Sequence, residues 1–62
     1  MKSLDLHGKS YEEANILVNI FIENNIDSMP LQIITGNSNQ MKEIVYSILK
    51  KHNLKFYPKS DY

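Results

Sequence analysis

A short strand that leads directly into a capped helix is the pattern that most constrains this sequence. Leu4 and Leu6 alternate with polar residues, as expected for a strand that packs one face against a core. Gly8 permits a tight turn after this strand. Ser10 and Glu13 then match the S-x-x-E capping box that begins a helix. The N-terminal part of the chain is therefore predicted to be a β-strand followed at once by an α-helix.

The same order of strand and helix recurs in the second half of the chain. A largely apolar run after the first helix is typical of a strand buried on both faces, and later apolar residues follow helical spacing. A strand, a helix and a strand imply a parallel pair with a right-handed crossover. We therefore expect an α/β domain of βαβαβ order with a small parallel or mixed sheet. The predicted strands span residues 3–7, 31–35 and 54–57, and the predicted helices span residues 11–24 and 41–51.

Length and composition limit the class of protein. The 62 residues make a single domain, 1–62, and a chain this short buries only about 60% of its unfolded surface. Without cysteine the chain has no disulfide and no thiolate metal site, which fits a cytoplasmic protein. The apolar stretch at residues 16–22 is interrupted by Asn19 and is shorter than the roughly 20 residues of a membrane helix. We expect a soluble protein with no membrane partner.

Charge is distributed unevenly, although the formal net charge is zero. Residues 1–41 carry two Lys against five Asp or Glu, and residues 42–62 carry five Lys against two acids. The basic half has the charge to contact phosphates. Lys50 and Lys51, however, are equally explained by the dipole of the helix that they end. His52 beside them is expected to be a solvated residue at the same helix end.

An Asp-x-His pair is the main candidate for chemistry. Strand alternation places Asp5 and His7 on one side of the strand, away from the core. A carboxylate that orients an imidazole is suited to proton transfer. Polar residues on a solvated strand before a capped helix also occur in domains without chemistry, and one such pair does not separate the two cases. One Asp and one His are too few ligands to define a metal site, so no cofactor is predicted and the need for a divalent metal ion stays open.

The two loops that follow the predicted parallel strands should lie at the same end of the sheet. Open α/β sheets usually bind ligands at this end. Asp5 and His7 would there meet Thr35 and Gly36. The N-termini of both helices would point to the same volume, and backbone amides in such a position bind phosphate.

Two motifs in this order resemble the Smr (small MutS-related) domain family. They are LDLHG at residues 4–8 and LQIITG at residues 31–36, each placed before a helix. The resemblance covers roughly residues 3–57. It implies a two-layer α/β fold similar to the C-terminal domain of a bacterial translation initiation factor. It also implies binding of DNA or RNA and, where the Asp-x-His pair is present, endonuclease activity.

The resemblance assigns roles to single residues. Asp5 and His7 match the catalytic pair of the family. The positions that match residues near the bound nucleic-acid backbone are Gly8, Thr35, Gly36 and Lys42. The family's second motif is typically Thr-Gly-x-Gly or His-Gly-x-Gly, whereas this chain has Asn37 and Ser38 after the first glycine, whose side chains can still donate hydrogen bonds. The family's later Gly-rich stretch and last strand have no counterpart, so we expect a minimal domain with a free sheet edge.

Three functions are open from the sequence. The first is an Smr-type endonuclease acting on RNA or on single-stranded or structured nucleic acid. The second is a nucleic-acid-binding module in which the altered loop at residues 35–38 has lost cleavage. The third is a small interaction protein, including a homodimer. It would use the free sheet edge or the first helix, whose apolar surface is widened by Ile16 and Ile20.

Overall fold

Two parallel strands and two helices make up the fold in a computed structural model that describes residues 1–58. The strands pair directly, with Asp5 opposite Ile34. The predicted parallel pair and its two helices are thereby confirmed as a small α/β arrangement. In chain order the elements are β1 (Lys2–Asp5), α1 (Tyr11–Asn24), a short 3-10 helix (Ile26–Ser28), β2 (Leu31–Ile34) and α2 (Asn39–Lys51).

The core lies between the two helices and one face of the sheet. Leu4 and Ile33 pack against it from facing positions on β1 and β2. Both helices contribute to this one core and contact each other, so they cover the same face of the sheet. The spacing of apolar residues predicted most of these positions. The buried members are Leu6, Ala14, Val18, Ile22, Met41, Val45 and Ile48.

β2 is half-buried along its whole length and is not buried on both faces as predicted. Paired residues on parallel strands share a face, so Gln32 and Ile34 lie with Ser3 and Asp5 on the side away from the helices. Both long helices belong to the core on the opposite side, and neither packs on this side. Both helices of this short chain pack on one face of the sheet, so the other face is open.

α2 ends in a Schellman motif. The Asn53 N–H donates to the Lys50 carbonyl at 3.0 Å, and the Leu54 N–H donates to the Leu49 carbonyl at 3.0 Å. Asn53 adopts a positive φ of 58°, a conformation that asparagine tolerates better than most residues. The motif stops the helix and turns the chain that follows it.

The third strand predicted at residues 54–57 does not form, and the prediction of βαβαβ order is wrong at this point. Residues 54–58 make no ladder with β2. Phe56 instead stacks on Tyr46 of α2, with ring centroids 4.7 Å apart and an interplanar angle of 16°. Such an aromatic pair contributes to stability beyond its buried area. This stacking holds residues 54–58 against α2.

A hydrogen-bonded chain of polar side chains joins the two helices. The Asn19 amide nitrogen donates to the carbonyl and the side-chain oxygen of Asn15, at 2.8 and 2.9 Å. The Asn19 side-chain oxygen lies 2.9 Å from His52 Nε2, so this ring nitrogen is the donor. His52 is half-buried. The prediction that it is simply solvated is therefore wrong, because it ties the end of α2 to α1.

Candidate nucleic-acid interface

Each strand is followed by a glycine turn and a serine-capped helix. Gly8 and Gly36 have φ values of 77° and 71°, in the left-handed region that favours glycine. Ser10 precedes α1 and Ser38 precedes α2. The hydroxyl oxygen of each serine accepts a backbone N–H of the first helical turn at 3.1 Å. The two halves of the domain thus share one local design.

Two hydrogen bonds shape the loop after β1. The Lys9 N–H donates to the Leu6 carbonyl at 3.0 Å and closes a β-turn. The Asp5 carboxylate accepts the backbone N–H of His7 at 2.9 Å. Among the residues that the structure describes, no hydrogen bond joins Asp5 to the imidazole of His7. Asp5 therefore holds the backbone that presents His7. Both side chains are exposed, but His7 lies in the turn after β1 and not in the strand as predicted.

The loop after β2 offers hydrogen-bond donors to a ligand. The Ser38 hydroxyl oxygen acts as the helix cap, which leaves its O–H free to donate, and the Thr35 hydroxyl donates weakly to the Gly36 carbonyl at 3.5 Å. Asn37 is exposed. Lys42 is half-buried in the first turn of α2, where its N–H donates to the Ser38 carbonyl at 3.1 Å. Asn37 and Lys42 are the residues of this loop best placed to meet a ligand.

The two loops leave the sheet side by side. The Leu6 N–H donates to the Ile34 carbonyl at 2.8 Å, which extends the ladder one residue beyond β1. Neighbouring strands lie about 4.8 Å apart. The structure therefore brings all the predicted site residues to the carboxyl end of one strand pair. These residues are Asp5, His7, Gly8, Thr35, Gly36, Asn37, Ser38 and Lys42.

The two helix N-termini at this end differ in charge. Glu12 and Glu13 occupy the first turn of α1, and the Glu13 carboxylate already accepts the backbone N–H of Ser10 at 2.9 Å. The first turn of α2 contains no acid and includes Lys42. An anion is thus better bound at α2 than at α1. The capping box in the sequence was the available sign that the α1 terminus supplies its own negative charge.

Acid should weaken the fold through Glu13. Hydrogen bonds from the backbone and side chain of Ser10 hold the pKa of the Glu13 carboxyl below its ordinary value of 4.5. A carboxyl with a lowered pKa stabilises the fold above its unfolded pKa, and this stability is lost as pH falls through the folded pKa. We expect melting temperature to fall less between about pH 6 and about pH 3 in Glu13→Gln, which still accepts the Ser10 N–H but does not titrate. Identical losses in both proteins would contradict this role.

Comparisons with known proteins assign no family to the chain. No family model matches it, and neither curated proteins nor solved structures give a significant match. Within residues 1–58, no three His, Asp or Glu side chains form a group that could hold a metal ion. None of the helices in that range has the length and hydropathy for a membrane crossing. The resemblance to the Smr domain stays a prediction based on two motifs.

Proposed function

We propose that this chain binds the phosphate backbone of single-stranded nucleic acid, with RNA as the favoured substrate, at the carboxyl end of its two strands. The observation that supports this most is the pairing of two glycine turns beside the α2 N-terminus, which has no acid and holds Lys42. Backbone amides and one cation bind phosphate without reading bases. The neutral net charge of the chain fits a small number of contacts.

We further propose that the bound strand is cleaved, with His7 as the catalytic base. On RNA, the imidazole takes the proton of a 2′-hydroxyl, and the resulting oxygen attacks the adjacent phosphorus. The bond to the 5′-oxygen breaks, that oxygen takes a proton from water, and the hydroxide so formed takes the proton back from the His7 imidazolium. The products are a 2′,3′-cyclic phosphate and a 5′-hydroxyl. Asp5 acts as a positioning residue, since its carboxylate holds the His7 backbone N–H.

Binding should depend on salt and on one lysine in particular. We expect the affinity for a labelled single-stranded RNA to fall with salt, with a log-log slope of roughly 0.7 per phosphate contact. Lys42→Gln should weaken binding and flatten the slope, because Lys42 lies in the α2 turn at the proposed site. Fluorescence anisotropy over a series of salt concentrations measures both quantities.

Lys50→Gln is the matched control for that experiment. Lys50 carries the same charge on the same helix. Because it lies in the last turn, far from the proposed site, its loss should change neither affinity nor slope. Thermal melting confirms that both variants are folded. Equal effects at Lys42 and Lys50 would mean that the attraction is diffuse, and the proposed location of the site would be wrong.

A second candidate function is supported by the outer face of α1. Ile16 and Ile20 lie one turn apart and are 60% and 48% exposed. Branched aliphatic side chains at this spacing suit packing against another helix, including that of a second copy. A protein of this kind would show no RNA affinity at low salt. It would self-associate in sedimentation experiments, and the double change Ile16→Gln with Ile20→Gln would abolish that association.

A further inference from the structure

A groove of about 640 Å³ runs along the edge of β2 that does not face β1. One wall is β2 itself, and the floor is α2, with Val45, Tyr46 and Leu49. The opposite wall is the segment at residues 54–58, whose Tyr57 is 86% exposed. Most of the lining is apolar. The groove therefore lies between β2 and the segment at residues 54–58, which do not pair with each other.

Backbone groups of β2 face this groove. The Ile34 carbonyl accepts the Leu6 N–H and so points toward β1. Successive residues of a strand point their N–H and C=O groups to opposite edges, so the groups of Ile33 point into the groove. Within residues 1–58 no strand pairs with that edge. An unpaired edge is a template for an added strand, and recognition domains use such edges to bind extended peptides.

The charge of the groove indicates which kind of added strand would bind there. The charged side chains that line it are Lys42 and Lys55, and both are positive. A second copy that paired the same edge about a two-fold axis would bring these lysines close to those of its partner, which is unfavourable. An extended segment with acidic side chains has the complementary charge. Apolar side chains on its other face would cover the groove floor.

We infer that this groove binds an extended peptide with alternating acidic and apolar residues, which pairs with β2 as a third strand. The backbone of the peptide supplies hydrogen bonds to Ile33. Its acidic side chains meet Lys55 on the wall formed by residues 54–58, and Lys42, one turn before Tyr46 on α2, adds positive charge at the end of the floor. This inference shares Lys42 with the proposed nucleic-acid site, but its tests use Lys55 and the ladder on β2, which the RNA assays do not probe.

A labelled peptide of three Val-Glu repeats tests the inference on the full chain. We expect it to bind at least roughly fivefold more tightly at low salt than three Val-Lys repeats, the effect of exposed charge pairs. A version with a central proline should lose binding, because proline has no N–H for the ladder. Anisotropy gives the affinities. Hydrogen exchange followed by NMR should show that the Val-Glu peptide slows exchange of the Ile33 amide.

Matched lysine variants complete the test. Lys55→Glu should weaken binding of the Val-Glu peptide by roughly fivefold. Lys51→Glu makes the same change of charge outside the groove and should have less than about a twofold effect. The inference is overturned by absent binding, by equal affinity for both peptides, or by equal effects of the two variants. Protection of Ile33 without peptide also overturns it. Protection that rises with protein concentration would identify a second copy as the occupant, and protection at every concentration would identify the chain's own segment.

Discussion

Replacing His7 by alanine is expected to lower the rate of RNA cleavage by about 10²- to 10⁴-fold, the range for loss of a positioned general base. The melting temperature should be unchanged, because His7 is exposed on a turn held by backbone hydrogen bonds. Incubation of purified proteins with end-labelled RNA measures the rate, and circular dichroism measures the fold. A substrate with a single 2′-deoxy residue at the cleavage site should resist the wild type.

His52→Ala is the matched control, since it removes the second histidine of the chain. His52 is half-buried and bonded to Asn19, so this variant should melt earlier but keep its cleavage rate. His7→Ala should therefore lose cleavage and keep its melting temperature, whereas His52→Ala should keep cleavage and lose melting temperature. Equal cleavage by wild type and His7→Ala would assign the activity to a contaminant and refute the proposed catalytic role.

The role of Asp5 can be separated from that of His7. Asp5→Ala should lose most cleavage, because it removes the acceptor that holds the His7 N–H. Asp5→Asn keeps an oxygen that can accept this bond, so it should retain more activity than Asp5→Ala. If Asp5→Asn were less active than Asp5→Ala, Asp5 would not act by holding the His7 backbone N–H.

Leu6→Ala should destabilise the domain by about 2 to 5 kcal/mol, because it leaves a cavity in the core. Leu6 is 1% exposed and belongs to the set of fully buried residues. A chain of 62 residues is expected to have a total stability of roughly 3 to 9 kcal/mol. The loss should therefore remove a large part of the total stability, and the urea midpoint of the variant should fall sharply. Urea denaturation followed by circular dichroism measures the change.

Leu4→Ala is the matched control two residues earlier, on the same face. Leu4 is only half-buried, so its truncation should cost clearly less than that of Leu6. A cost at Leu4 equal to or above the cost at Leu6 would mean that the core is centred elsewhere. Loss of cleavage in Leu6→Ala would say nothing about chemistry, because the site depends on the fold.

Local features of this protein were predictable from sequence because the residues that decide them are close in the chain. The capping box of Ser10 and Glu13 joins residues three apart, and the turn at Gly8 depends on the glycine itself. Helical periodicity identified the buried face of α2. The side-by-side position of the two loops was also predictable, since the carboxyl ends of two parallel strands lie together.

Other features depend on contacts between distant residues and appear only in the tertiary structure. The local sequence of residues 54–57 is compatible both with a strand and with the observed stacking of Phe56 on Tyr46. The bond between His52 and Asn19 joins residues 33 positions apart. The open face of β2 results from both helices packing on the other side. In each case several partners were compatible with the local sequence, and the packing of the whole domain selected one.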